Sequence, residues 1–146
     1  MALRLGLDAR LYRNTGSYAS PTWNFVQNVK DLTLNLEVCE ADVSTRGTGG
    51  WRATVSALKD ASIEFELVWD TADDDFAVIR DAFLTRGALD FAVMDGDITT
   101  PGSQGLRAIC MIASFSRNEA LEEALTVSVT AKPTYAAFAP VWLVIT

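Results

Sequence analysis

The chain has 146 residues, 49% of them hydrophobic and 21% charged, with 19 acids against 12 bases and no histidine. That is enough apolar surface for one core, which excludes disorder throughout, and no apolar run is long enough to cross a bilayer as a helix. The net charge of −7 opposes sequence-independent attraction to phosphate backbones, and without histidine the Ser-His-Asp and Cys-His arrangements and the commonest transition-metal ligand are gone.

No shift of composition divides the chain, so a single domain over residues 1–146 is expected. Met1 to Asp8 contains an acid and lacks the long apolar centre and cleavage site of a secretory signal, which points to synthesis in the cytosol. Residues 1–27 mix turn formers with Tyr12, Tyr18, Trp23 and Phe25 and keep no sustained period. They read as an ordered N-terminal arm, made basic by Arg4, Arg10 and Arg13, whose aromatics must pack on something.

A β core is expected over residues 28–133. Leu32, Leu34 and Leu36 alternate with Thr33, Asn35 and Glu37, the period of a half-buried strand. Glu40 to Gly50 is polar and glycine-rich, too long for a tight turn, and reads as a long exposed inter-strand loop. Trp51, Ala53 and Val55 predict a second strand, and Ile63, Phe65, Leu67 and Trp69 a third, with Leu58-Lys59-Asp60-Ala61 between them. Glu64 and Glu66 fall on the third strand's outward face.

Seven acids and no base lie between Asp60 and Asp75, and the last of them open the one good helix candidate, about residues 73–86. Phe76, Ile79 and Phe83 share its inner face, the acids complement its positive end, and Gly87 is placed to close it in the left-handed conformation. Leu89–Met94, Leu106–Phe115 and Leu125–Ala131 predict further strands, and residues 134–146 form an apolar tail in which Val141–Ile145 suits a last strand. The fold class is mainly β with one α-helix, an antiparallel sandwich or small barrel.

The residues of types that carry chemistry elsewhere have simpler readings here. Glu64 with Glu66, or Asp95 with Asp97, are the only candidate carboxylate pairs, but the first is a solvated strand face and Asp95-Gly96-Asp97 a plain turn lacking the remaining calcium ligands. Asp73–Asp75 suits a helix start better than a cation. Cys39 and Cys110 read as free, core or half-buried thiols. No phosphate-binding loop occurs. No enzyme activity, cofactor or metal is expected. The tryptophans Trp23, Trp51, Trp69 and Trp142 leave open a monomeric carbohydrate- or ligand-binding β domain, although Trp69 shares the apolar register of Phe65 and Leu67.

The order of these features resembles the tail tube proteins of long-tailed phages. The likeness is carried by Trp23 to Asn35, by the loop ending in Gly49-Gly50-Trp51, by Ser62-Ile63-Glu64-Phe65-Glu66 leading to the helix, and by Glu122 to Thr130. It implies a sandwich or barrel flanked by one helix, forming hexameric rings that stack into a hollow tube for DNA passage in a virion tail, assembled in the host cytoplasm without membrane insertion. Under that implication Glu40, Asp42, Thr45, Arg46 and Gly49 reach the neighbouring ring, while Glu64 and Glu66 line the lumen. Arm and tail touch adjacent subunits, and the partners are further copies of the chain with tape-measure, tail-tip and tail-terminator proteins, DNA being transient cargo. The tube of a contractile injection or secretion system is the related alternative.

Overall fold

The alternation of Ile63, Phe65 and Leu67 sets one face of a strand against a core, and the rest of the sheet is organised around that face. The computed structural model describes residues 3, 5–119, 121, 124–134 and 136–146. Strands β1 (Arg10–Asn14), β2 (Trp23–Phe25), β3 (Val29–Asp42) and β4 (Thr54–Val68) precede helix α1 (Asp74–Thr85), and β5 (Ala88–Met94), β6 (Gln104–Asn118), β7 (Thr126–Pro133) and β8 (Val141–Val144) follow it. They form one antiparallel sheet of order β2-β1-β5-β6-β7-β4-β3, with β8 paired to β6 beyond the end of β7. The expected class, mainly β with one helix, is the class observed.

Although β2 and β3 stand at opposite ends of that order, only Val26, Gln27 and Asn28 join them. So short a link spans on the order of 14 Å at full stretch, about three strand spacings. The sheet must therefore curl until its ends approach. Val26 N–H donates to the Leu11 carbonyl and Val68 N–H to the Asn28 carbonyl, so the link is tied to both sides of the gap. Across the curl, the rings of Phe65 on β4 and Phe91 on β5 meet edge to face at 6.2 Å although β6 and β7 separate their strands.

Inside lie Leu11, Val26, Ile63, Leu67, Phe91, Cys110, Val127 and Val129, with Phe76 and Ile79 of α1 closing the cluster. Each such side chain contributes roughly 1.5–3 kcal/mol on burial. Trp69 packs into this cluster, its ring 4.7 Å from that of Phe76, as its register implied. A smaller cluster of Tyr12, Ala92, Met94 and Ile98 covers the other face of β1 and β5.

Several expectations are corrected. The segment read as an arm supplies β1 and β2, burying Leu11 and Tyr12 in the body, while the strand expected in the tail is β8, with Leu143 and Ile145 packed on the second cluster. The two strands expected around residues 51–69 are the single strand β4; its first half is exposed on both faces, so nothing selects an alternation there. Trp51 precedes that strand and is exposed. In α1 the inward residues are Phe76, Ile79 and Ala82, while Phe83 is partly exposed and stacks on Phe115. The left-handed residue closing the helix is Arg86, φ 60°, and not Gly87. Cys110 is buried but Cys39, beside a bulge in β3, is exposed. Arg4 of the basic arm, Glu122 and Glu123 of the predicted turn, and Tyr135 in the tail lie outside the described residues.

Candidate assembly surfaces

The acids at the start of α1 face its positive end, but their hydrogen bonds serve the tertiary structure. Asp75 accepts from Arg13 Nε at 2.8 Å and from Asn24 Nδ2 at 2.8 and 3.0 Å, and Asp73 accepts from Asn28 Nδ2 at 3.1 Å. They clamp β1, β2 and the link to the helix. Arg13 is thereby largely covered and spent within the subunit.

On the opposite face of the same half of the sheet, Asp90 accepts from Arg107 Nη2 at 2.7 Å, from Arg107 Nε at 3.1 Å and from Asn14 Nδ2 at 3.1 Å. The Arg107 side chain is 8% exposed and that of Asp90 13%. Its guanidinium lies 3.7 Å from the centre of the Tyr18 ring and 4.9 Å from that of Trp23, and Tyr18 in turn stacks on Phe138 at 3.8 Å. Arg107 Nη2 also donates to the Tyr18 carbonyl at 3.0 Å. This arrangement fastens residues 15–22 to the barrel wall. It leaves neither charge free for chemistry, since each meets the other and a further hydrogen-bond partner.

The Asp95-Gly96-Asp97 turn is also structural. Asp95 accepts from Gln104 N at 2.9 Å, and Asp97 from the backbone N and hydroxyl of Thr99 at 2.9 and 2.8 Å. Those bonds from Thr99 hold the Asp97 carboxyl below the usual carboxylate range.

Beyond the body the β3–β4 ribbon runs on without a sheet partner, since β4 pairs with β7 only from Ile63 to Val68. The ribbon exposes Leu36, Val38, Val43, Val55 and Leu58. At its tip Thr45 accepts from Gly47 N, and Gly49 and Gly50 take φ of 66° and 84°, turning the chain so that Trp51 stands 80% exposed. Of the residues assigned to the long loop, Glu40 and Asp42 belong to β3, and Thr45, Arg46 and Gly49 to the tip. Hydrogen bonds from the Ser44 side chain and backbone lower the Asp42 pKa. A two-stranded ribbon of this kind gains little stability by itself.

Glu64 and Glu66 point away from the core, Glu64 exposed and Glu66 half-buried. The register sets Thr33 and Thr130 beside Glu64, and Ser128 beside Glu66. Asn35 donates to Ser62 Oγ at 3.2 Å on the same face. The face is thus a field of hydroxyl, amide and carboxylate groups, with Lys132 at its margin. The tryptophans do not act together: Trp69 packs against the core, Trp23 lies over Arg107, and Trp51 and Trp142 are on the ribbon tip and β8.

Residues 9–134 match the family described as "Phage tail tube protein", a span that takes in β1 to β7 and the helix. The chain belongs to that family. It is therefore a structural, non-enzymatic component of a virion tail. Among solved structures, the tail of an empty gene transfer agent particle, refined with C6 helical symmetry, superposes with a TM-score of 0.73 at 18% identity, covering 99% of this chain and 100% of that one. The SPP1 tail tube gives 0.70 at 14% identity over 89% of this chain and 75% of that chain. The anti-feeding prophage baseplate gives 0.57 at 10% identity over 94% and 92%. At these identities the likeness is one of fold. No curated protein sequence matches the chain.

The sequence signals missed the Asp90–Arg107 clamp, because its partners come from β5 and β6 and the segment it holds carries no period. A buried arginine set diagonally across from an acid on a paired strand is visible only once the register is known.

Proposed function

We propose that the subunit forms sixfold rings that stack into the hollow tube of a tail and conduct DNA. The observation that carries this reading is the β3–β4 ribbon, which extends apolar side chains and Trp51 into solvent from a body that has its own core. Exposed apolar groups in such number serve an interface. In this arrangement Glu40, Asp42, Thr45, Arg46 and Gly49 reach the next ring. Family membership and the sixfold tail of the similar particle support the ring number.

The face bearing Glu64 and Glu66 lines the channel. The carboxylates there repel phosphates, so cargo moves without tight binding. Tape-measure, tail-tip and tail-terminator proteins are the partners such a tube needs in its lumen and at its ends. The stronger likeness to the gene transfer agent tail than to the anti-feeding prophage baseplate favours DNA as cargo.

Negative-stain microscopy of the purified protein over a concentration series tests the assembly. Hollow rings or tubes are expected; small monomers at every concentration, even with a tail-tip initiator, would overturn it. A map with Glu64 and Glu66 on the outer wall would refute the lumen assignment alone.

A further inference from the structure

The strand slot that β7 vacates at Pro133 is only partly refilled. β8 takes β7's place beside Gln104–Arg107 of β6, yet among the described residues neither β8 nor the Thr54–Ala61 stretch of β4 makes a second pairing on the side facing the other. Between them runs a groove of about 640 Å³. Leu36, Val38, Ala61, Leu106 and Trp142 line it on the core side together with Lys59, the partner of Val38, and Glu37 and Asp60, directly paired across β3 and β4, stand at its border on the opposite face. Two unpaired strand edges with apolar residues between them form a site for one additional strand.

The sequence contains a segment of the matching pattern. Leu3, Leu5 and Leu7 alternate with Arg4, Gly6 and Asp8, and the leucines are 80%, 70% and 90% exposed. Two hydrogen bonds, Asp8 N to Leu5 O and Ala9 N to Gly6 O, hold the single 3-10 turn in which Leu7 sits.

We propose that residues 3–7 of one subunit insert as a strand into the groove between β4 and β8 of a neighbouring copy. The leucines then complete the apolar floor. The chain's own groove is out of reach. From Arg10 the path past β5, β6 and β8 is about four strand spacings, ~19 Å, whereas the three residues back to Leu7 extend only ~11 Å. The occupant is thus a second copy. This rests on the tube reading but names the contact that joins the subunits.

The test uses the full chain with Cys39→Ser, in which Leu5→Cys subunits and Val38→Cys subunits are mixed at high concentration and treated with a short bismaleimide. Covalent dimers containing one of each are expected, and neither variant alone should give them. Tubes seen by microscopy without such dimers would overturn the donated strand and leave the tube reading standing. Dimers without tubes would do the reverse. In the doubly substituted chain, cross-links confined within single subunits would also overturn it. A companion variant with Leu3, Leu5 and Leu7 all changed to Ser should keep its melting temperature, since these side chains are exposed in the subunit, and lose tube yield at least tenfold. Wild-type yield from that folded variant would contradict the proposal.

Discussion

The half of the sheet built from β1, β5 and β6 is covered on both faces, by the main core and helix within and by residues 15–22 and the second cluster without. The half that ends in β3 and β4 has one bare polar face and then leaves the body as a ribbon with no cover at all. Stability resides in the first half, and surfaces for other copies in the second. The difference teaches that exposed leucines and a solvent-facing tryptophan can persist in a folded chain when another region supplies the folding free energy.

Substitutions that separate the halves test this division, beginning with the largest effect. A Cβ at Gly105 would lie 1.8 Å from the Val93 carbonyl oxygen in the paired strand β5. Gly105→Ala should therefore cost about 3 kcal/mol or more, lowering the melting temperature by roughly 6–12 °C in calorimetry. Replacing Asp90 by Ala strands the buried guanidinium of Arg107; a loss of about 3 kcal/mol is expected in denaturant titration, with Tyr18 released and more accessible to quenchers.

On the ribbon the expectation is reversed. Deleting Thr45 to Gly49, or changing Leu58 to Ser, should move the unfolding midpoint by no more than about 0.5 kcal/mol and yet reduce tube length or yield severely under the microscope. Equal stability losses in both halves would erase the distinction.

The two cysteines repeat the contrast on a smaller scale. Burial, reinforced by the charge of Asp90, pushes the Cys110 thiol up to about 12. The unfolded chain loses that proton near the ordinary thiol value while the folded chain retains it. Stability from this group is complete at neutral pH and falls as pH rises above about 9, by up to ~1.4 kcal/mol per unit. A Cys110→Ala variant should lack that component of the alkaline slope. Iodoacetamide at neutral pH should modify Cys39 alone in the unassembled protein and both thiols in denaturant. The smallest effect is expected from Glu64→Lys, which leaves stability within about 0.5 kcal/mol but should slow DNA release from assembled particles.

Much of this was legible in the chain. Period-two leucines at 32 and 34, the Ile63–Leu67 alternation and the acid-led helix each mark their elements because one face of each meets the core. Where both faces are exposed, as from Thr54 to Asp60, the alternation has no cause and a single long strand reads as two. Where both faces are covered, as in β1, the period disappears and a core strand passes for an arm. The outward face of Glu64 and Glu66 was likewise readable, whereas the groove beside β8 required the register, since it arises from β7 stopping at Pro133.

The three-residue link between β2 and β3 also orders events in time. Arg10 finds its partner only when Met94 has been made, and the barrel cannot close before then. The β3–β4 ribbon, whose strands pair across a short tip, is available to fold as soon as Val68 emerges. A chain still on the ribosome thus displays its most adhesive element before it has a body, and the speed with which β5 and β6 follow decides how long growing chains are exposed to one another.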